Sequence, residues 1–158
     1  MNASPTILFL HGLEARPGGF KPTFLKSQGF EVLNPALPDD DFGKAVSIAQ
    51  AAFDDREPDI VVGSSRGGAV AMAIDSRTAP LVLIAPAWRF CGVQSVVKRE
   101  TIILHSARDE LIPLAHSQLL VDDNDLLPSN LRVIGDDHRM NDEQAMDALI
   151  AAIRELTT

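Results

Sequence analysis

Six short apolar runs punctuate the chain, at Ile7–His11, Glu31–Leu33, Asp59–Val62, Leu81–Ala85, Thr101–His105 and Leu131–Ile134. Several are apolar almost without a break, the form expected of strands covered on both faces in a parallel sheet. Between them apolar residues recur at helical spacing. Phe42, Ala45, Val46, Ala49, Ala52 and Phe53 trace one helix, with Asp41 placed as its N-cap. Met146, Leu149, Ile150 and Ile153 trace another, and Asn141 with Gln144 has the spacing of a capping box in front of it. A shorter helix is expected to open at Pro22 and end at Gly29, and a further one to follow Pro113. Strand and helix alternating in this way predict one α/β domain over residues 1–158. It is a doubly wound, mostly parallel six-stranded sheet with helices on both faces.

A chain of 158 residues can bury roughly 70% of its unfolded surface in one core. No apolar run approaches the roughly 20 residues needed to cross a bilayer, so no membrane association is expected. No Lys or Arg precedes Ile7–Leu10, which argues against a secretory signal. The single cysteine, Cys91, excludes an internal disulfide and suits a reducing compartment, so a cytoplasmic location is expected. A net charge of −8 argues against nucleic acid as a partner, because its phosphates are repelled. No pair of the four histidines has metal-ligand spacing on a clear helix face, so neither a metal nor a cofactor is expected. Oligomeric state is left open.

The most informative stretch is Gly63-Ser64-Ser65-Arg66-Gly67, set between an apolar run and a small-residue helical segment. G-x-S-x-G in that context is a nucleophile elbow, a sharp strand-to-helix turn that lifts Ser65 out of the sheet. Gly63 and Gly67 flank the serine because a Cβ at either place would meet backbone. Ligands of a parallel sheet bind beyond the carboxyl ends of its strands. Ser65, the pair His11-Gly12, Asp109 and His138 each fall just after an apolar run, and so on one edge of the sheet.

A serine hydroxyl needs a base to take its proton as it attacks, and a carboxylate to orient that base. His138, in the loop after the last run, is the candidate base; the alternative is a surface histidine beside two aspartates. His105, at a strand end, reads as a hydrogen-bonded structural residue, and His116 as a solvated helical one. Asp109 is the candidate acid ahead of Glu110, Asp136 and Asp137, its alternative being an N-cap for the helix near Pro113. The tetrahedral intermediate needs N–H donors. Arg66, the residue after the nucleophile, supplies one and Leu13, after His11-Gly12, the other; the alternative is that His11-Gly12 is only a tight turn.

His11-Gly12, Gly63-Ser64-Ser65-Arg66-Gly67-Gly68, Asp109-x-x-Ile112-Pro113 and Gly135-x-x-His138 together resemble the α/β-hydrolase superfamily, from Ile7 to about Leu156. The likeness is to its small, cap-less, esterase-like members. The resemblance implies Ser65 as nucleophile, Asp109 as acid, His138 as base, and Leu13 and Arg66 as oxyanion donors. It also implies the first run at the centre of the sheet and Glu31–Leu33 at an edge. Only Pro86–Val93 and a helix after it stand where larger relatives carry a lid, so the site is expected to be open and shallow. Trp88 and Phe90 are candidates for its wall, with plain packing the alternative, and Cys91 reads as a bystander. The function implied is a serine hydrolase acting on a small-molecule ester or thioester through an acyl-enzyme. The alternative is a non-catalytic ligand- or protein-binding member of the same fold. Arg16, Arg66, Arg89 and Arg139 fall near the site in sequence and leave an anionic substrate open.

Overall fold

The computed structural model describes residues 4–158; the first three, on which the reading of the N-terminus partly rests, lie outside the described residues. In order the elements are β1 (Thr6–Leu10), α1 (Phe20–Ser27), β2 (Glu31–Leu33), α2 (Phe42–Arg56), β3 (Ile60–Ser64) and α3 (Arg66–Ala73). There follow β4 (Leu81–Ile84), β5 (Thr101–His105), α4 (Leu114–Asp123), β6 (Leu131–Val133) and α5 (Glu143–Thr157). The six strands form one sheet in the order β2-β1-β3-β4-β5-β6, and all five pairings are parallel.

Side-chain alternation along each strand divides the interior in two. Leu8, Leu10, Val61, Leu81, Leu83 and Ile103 point to the face covered by α2, α3 and α4. Ile7, Phe9, Ile60, Val62, Val82 and Ile84 point to the other, covered by α1 and α5. Both faces are dry, which is why the strands read as unbroken apolar runs.

Four expectations change. Strands β3 and β4 occupy the centre of the sheet; β1 is interior but lies next to the edge strand β2. Helix α1 starts at Phe20, so Pro22 lies inside its first turn. Helix α5 is capped by Asp142, whose carboxylate accepts from the Ala145 N–H, because the Asn141 side chain is engaged by Lys21. No helix joins β4 to β5. That segment lies across the C-terminus of α4 instead, where Asn124 accepts from the Val97 N–H and donates to the Ser95 carbonyl. No helix among the described residues is long and apolar enough to cross a membrane.

Candidate active site

The turn from β3 into α3 is forced by close backbone contacts. A Cβ on Gly63 would overlap the Gly67 carbonyl, and one on Gly67 would overlap the Leu10 carbonyl of β1. Helix α3 can therefore start directly against the central strands only with glycine at both places. Gly67→Ala is expected to destabilise the fold by about 3 kcal/mol or more, since its clash is with backbone that cannot step aside. Urea unfolding measures this; a midpoint within error of the wild type contradicts it.

Between these glycines Ser65 adopts φ 56° and ψ −115°, a conformation disfavoured for any residue with a Cβ. Such strain costs on the order of 1–3 kcal/mol and persists only where neighbours over-determine it. Here the Ser65 N–H donates to the Ile84 carbonyl at 2.8 Å, and its own carbonyl accepts from the Ala87 and Gly68 N–H groups at 2.9 and 3.0 Å. The hydroxyl is thereby held at the carboxyl edge of the sheet.

Two loops bring the partners. Ser65 Oγ lies 3.0 Å from His138 Nε2, and His138 Nδ1 lies 2.6 Å from Asp109 Oδ2. A carboxylate only accepts, so Nδ1 carries the proton and Nε2 is free to accept from the serine. The Asp109 side chain is fully buried, and its other oxygen accepts from the Leu111 and Ile112 N–H groups, both at 2.8 Å. Burial opposes ionisation of Asp109. The Ile112 N–H, His138 and the Leu111 N–H outweigh it and hold the carboxyl below its usual range. Asp136 and Asp137 do not reach the imidazole ring by hydrogen bonds; they shape the loop instead. The Asp137 side chain accepts from the Met140 N–H, and the Asp136 N–H donates to Asp142.

His11 ties the loop after β1. Its Nδ1–H donates to the Gly12 carbonyl at 2.9 Å, and its Nε2 accepts from the Leu37 N–H at 2.9 Å. The Gly12–Leu13 peptide is trans, so a carbonyl fixed on the His11 side turns the Leu13 N–H the opposite way. Neither that N–H nor the Arg66 N–H has a protein acceptor among the described residues. Leu13, Ser65, Arg66 and His138 line one open cleft of about 1200 Å³.

Trp88 does not line this cleft. Its ring is buried and its indole N–H donates to the His116 carbonyl, as a buried indole must find an acceptor. Ala87, the exposed Phe90 and Cys91 form the wall there. His116 packs on Trp88 and Phe90 rather than standing free in solvent. No cluster of three or more His, Cys, Asp or Glu groups able to hold a metal ion occurs among the described residues.

His105 is the hydrogen-bonded structural residue expected of it, but its tie to Asp109 escaped the sequence reading, as did two further supports, Ser106 and Lys21. His105 is buried and neutral by desolvation, its Nε2–H donating to the Ile112 carbonyl and lying 3.1 Å from Asp109 Oδ2. Its place four residues before Asp109 was the available signal. Ser106 donates to the Gly135 carbonyl and accepts from the Arg108 N–H, joining the acid loop to the histidine loop. Lys21 of α1, buried, donates to the Arg139 carbonyl and to Asn141 Oδ1, so it grips the backbone just after His138.

Burial pulls the Lys21 ammonium down to about 8, against the opposing pull of Asp137 and Asp142. Its folded value lies below its unfolded one, so between those values the unfolded chain holds more protons and stability rises with pH. We expect the unfolding free energy of the wild type minus that of Lys21→Met to rise between about pH 8 and 10.5, by up to roughly 3 kcal/mol. A difference that stays flat across that window contradicts it.

No protein-family model and no curated protein matches the sequence. Solved structures do match. A presumed hydrolase from Agrobacterium vitis S4 superposes with a TM-score of 0.77 at 19% identity, over 98% of this chain and 88% of that one. Alpha/beta hydrolase domain-containing protein 10 from mouse gives 0.73 at 20%, over 96% and 89%. An alpha-beta serine hydrolase homologue from Coxiella burnetii gives 0.73 at 16%, over 98% and 86%. What is shared at these identities is the architecture: the chain has the α/β-hydrolase fold.

Proposed function

We propose that this chain is a cytoplasmic serine hydrolase that cleaves a small ester or thioester through an acyl-enzyme on Ser65. The observation that carries the reading is the unbroken hydrogen-bond line from Ser65 Oγ through His138 to Asp109. As Ser65 Oγ attacks the carbonyl carbon, His138 Nε2 takes its proton, and buried Asp109 stabilises the imidazolium that forms. The carbonyl oxygen becomes an anion held by the Leu13 and Arg66 N–H groups, each worth roughly 3–4 kcal/mol. The N-terminal end of α3 adds a favourable dipole. Collapse of the intermediate breaks the bond to the leaving alcohol or thiol, which departs with the proton from His138. A water molecule then gives its proton to His138 and attacks the acyl-serine. The second intermediate releases the acid, and Ser65 regains its proton. Water is the one co-reactant, and no cofactor enters any step.

The connection from β4 to β5 carries no helix that could shelter a long chain. On p-nitrophenyl esters we therefore expect kcat/KM to be highest for acetate and butyrate and to fall towards dodecanoate. A rise with chain length overturns the open-site reading, and absence of turnover on every ester overturns ester hydrolysis itself.

A further inference from the structure

Arg66 carries a charge that the protein leaves unanswered. It is 7% exposed, the only arginine buried among the described residues. Arg56, Arg77 and Arg132 meet carboxylates at the surface, whereas Arg66 forms no ion pair and no side-chain hydrogen bond among the described residues. Its Nη1 is sealed from solvent without an acceptor. The guanidinium lies over the Phe42 ring, 5.6 Å from its centre. That contact covers one face of the group, but the N–H donors point outward in its plane, where a ring cannot meet them.

Arg66 opens α3, so the positive end of the helix dipole lies beside it rather than the negative one. Cys91, close enough to feel its field, is pushed up by burial more than Arg66 draws it down, and stays a neutral thiol. On the cleft lining, the carboxylates Glu14, Asp109, Glu110, Asp136 and Asp137 come from the loops after β1, β5 and β6. The loop after β4 contributes Ala87, Phe90 and Cys91, which bring none, and Arg108 and Arg139 line the cleft as well. A buried, unpaired cation costs several kcal/mol unless something completes it. Arg66 lines the cleft together with Ser65, so an ester bound there lies beside it.

We propose that the substrate carries a free carboxylate, and that the Arg66 guanidinium binds it while Ser65 attacks the ester carbon of the same molecule. The substrate class is then the half-ester or half-thioester of a small dicarboxylic acid. The inference rests on the hydrolase reading and narrows it. With Nη1 sealed, the Nε–H and Nη2–H edge is the one left to a carboxylate, and it offers two parallel N–H bonds that a lysine cannot reproduce.

The test compares 4-nitrophenyl hydrogen adipate with 4-nitrophenyl hexanoate, which matches its acyl length but lacks the second carboxylate. The wild type is expected to favour the adipate in kcat/KM. In Arg66→Met the adipate-to-hexanoate ratio is expected to fall tenfold or more, mainly through KM, the scale of a lost charge-assisted hydrogen bond of about 1.5–3 kcal/mol. Arg66→Lys should restore part of it. A wild-type ratio at or below one, or a ratio equal in wild type and Arg66→Met, overturns the proposal. Should the Met variant fail to fold, the wild type decides alone. Free adipate should slow its labelling by a fluorophosphonate while adipamide does not, and equal protection by both overturns the proposal. Turnover keeps the two readings apart: its absence on both esters sinks the hydrolase, whereas hexanoate turnover with an unchanged ratio sinks only the carboxylate site.

Discussion

Ser65→Ala is expected to lower kcat on p-nitrophenyl butyrate by roughly 10⁴-fold or more, the scale set by losing a nucleophile whose partners act as one unit. The fold should survive. The serine hydroxyl bonds only to His138, and the strained turn is held by its backbone contacts and by Gly63 and Gly67, none of which the change touches. Alanine suffers the same backbone strain as serine, so the urea midpoint should move little. Under the proposed mechanism the activity that remains would come from the Leu13 and Arg66 N–H groups and from binding. Loss of turnover together with loss of structure would mean that Ser65 is a packing residue, contrary to the mechanism.

Asp109→Asn is expected to cost roughly 10⁴-fold in kcat, with a different physical cause. The asparagine oxygen can still take the Leu111 and Ile112 N–H groups, which fixes the amide so that its NH₂ faces His138 Nδ1. His138 must then accept at Nδ1 and carry its proton on Nε2, the nitrogen that has to receive the proton of Ser65. The same NH₂ confronts the His105 Nε2–H, donor against donor, so stability should fall as well. If Asp109 were only a cap for α4, asparagine would serve nearly as well and turnover would persist. A pre-steady-state burst of nitrophenol should therefore slow in step with kcat. An unchanged burst assigns the orienting role to another residue.

Much of this was legible from residue order, for reasons that can be named. Strands buried on both faces show as unbroken apolar runs, and the elbow announces itself because only glycine fits against β1 and against the start of α3. The positions of Asp109 and His138 followed from the rule that parallel sheets work at their carboxyl edge. What stayed hidden depends on contacts between segments far apart. Asn141 and Asp142 are both good caps, and the choice of Asp142 depends on Lys21, about 120 residues earlier, taking the asparagine. For Trp88 the sequence leaves cleft wall and packing open, and the His116 carbonyl of α4, which draws its indole inward, decides for packing. The helix expected after Val93 is absent because Asn124 anchors that segment as a loop. The first run was set at the centre of the sheet, a place that chain order alone does not determine. The Arg66 side chain could equally have pointed to solvent, so its burial was invisible to any motif.

The most direct measurement is reaction of the native protein with a fluorophosphonate, followed by intact-mass analysis and mapping of the modified peptide. One adduct per chain is expected, on Ser65, absent from Ser65→Ala and formed far more slowly in His138→Gln. An adduct on Ser64, undiminished labelling of Ser65→Ala, or no adduct on the wild type would contradict an activated serine at the strand-to-helix turn.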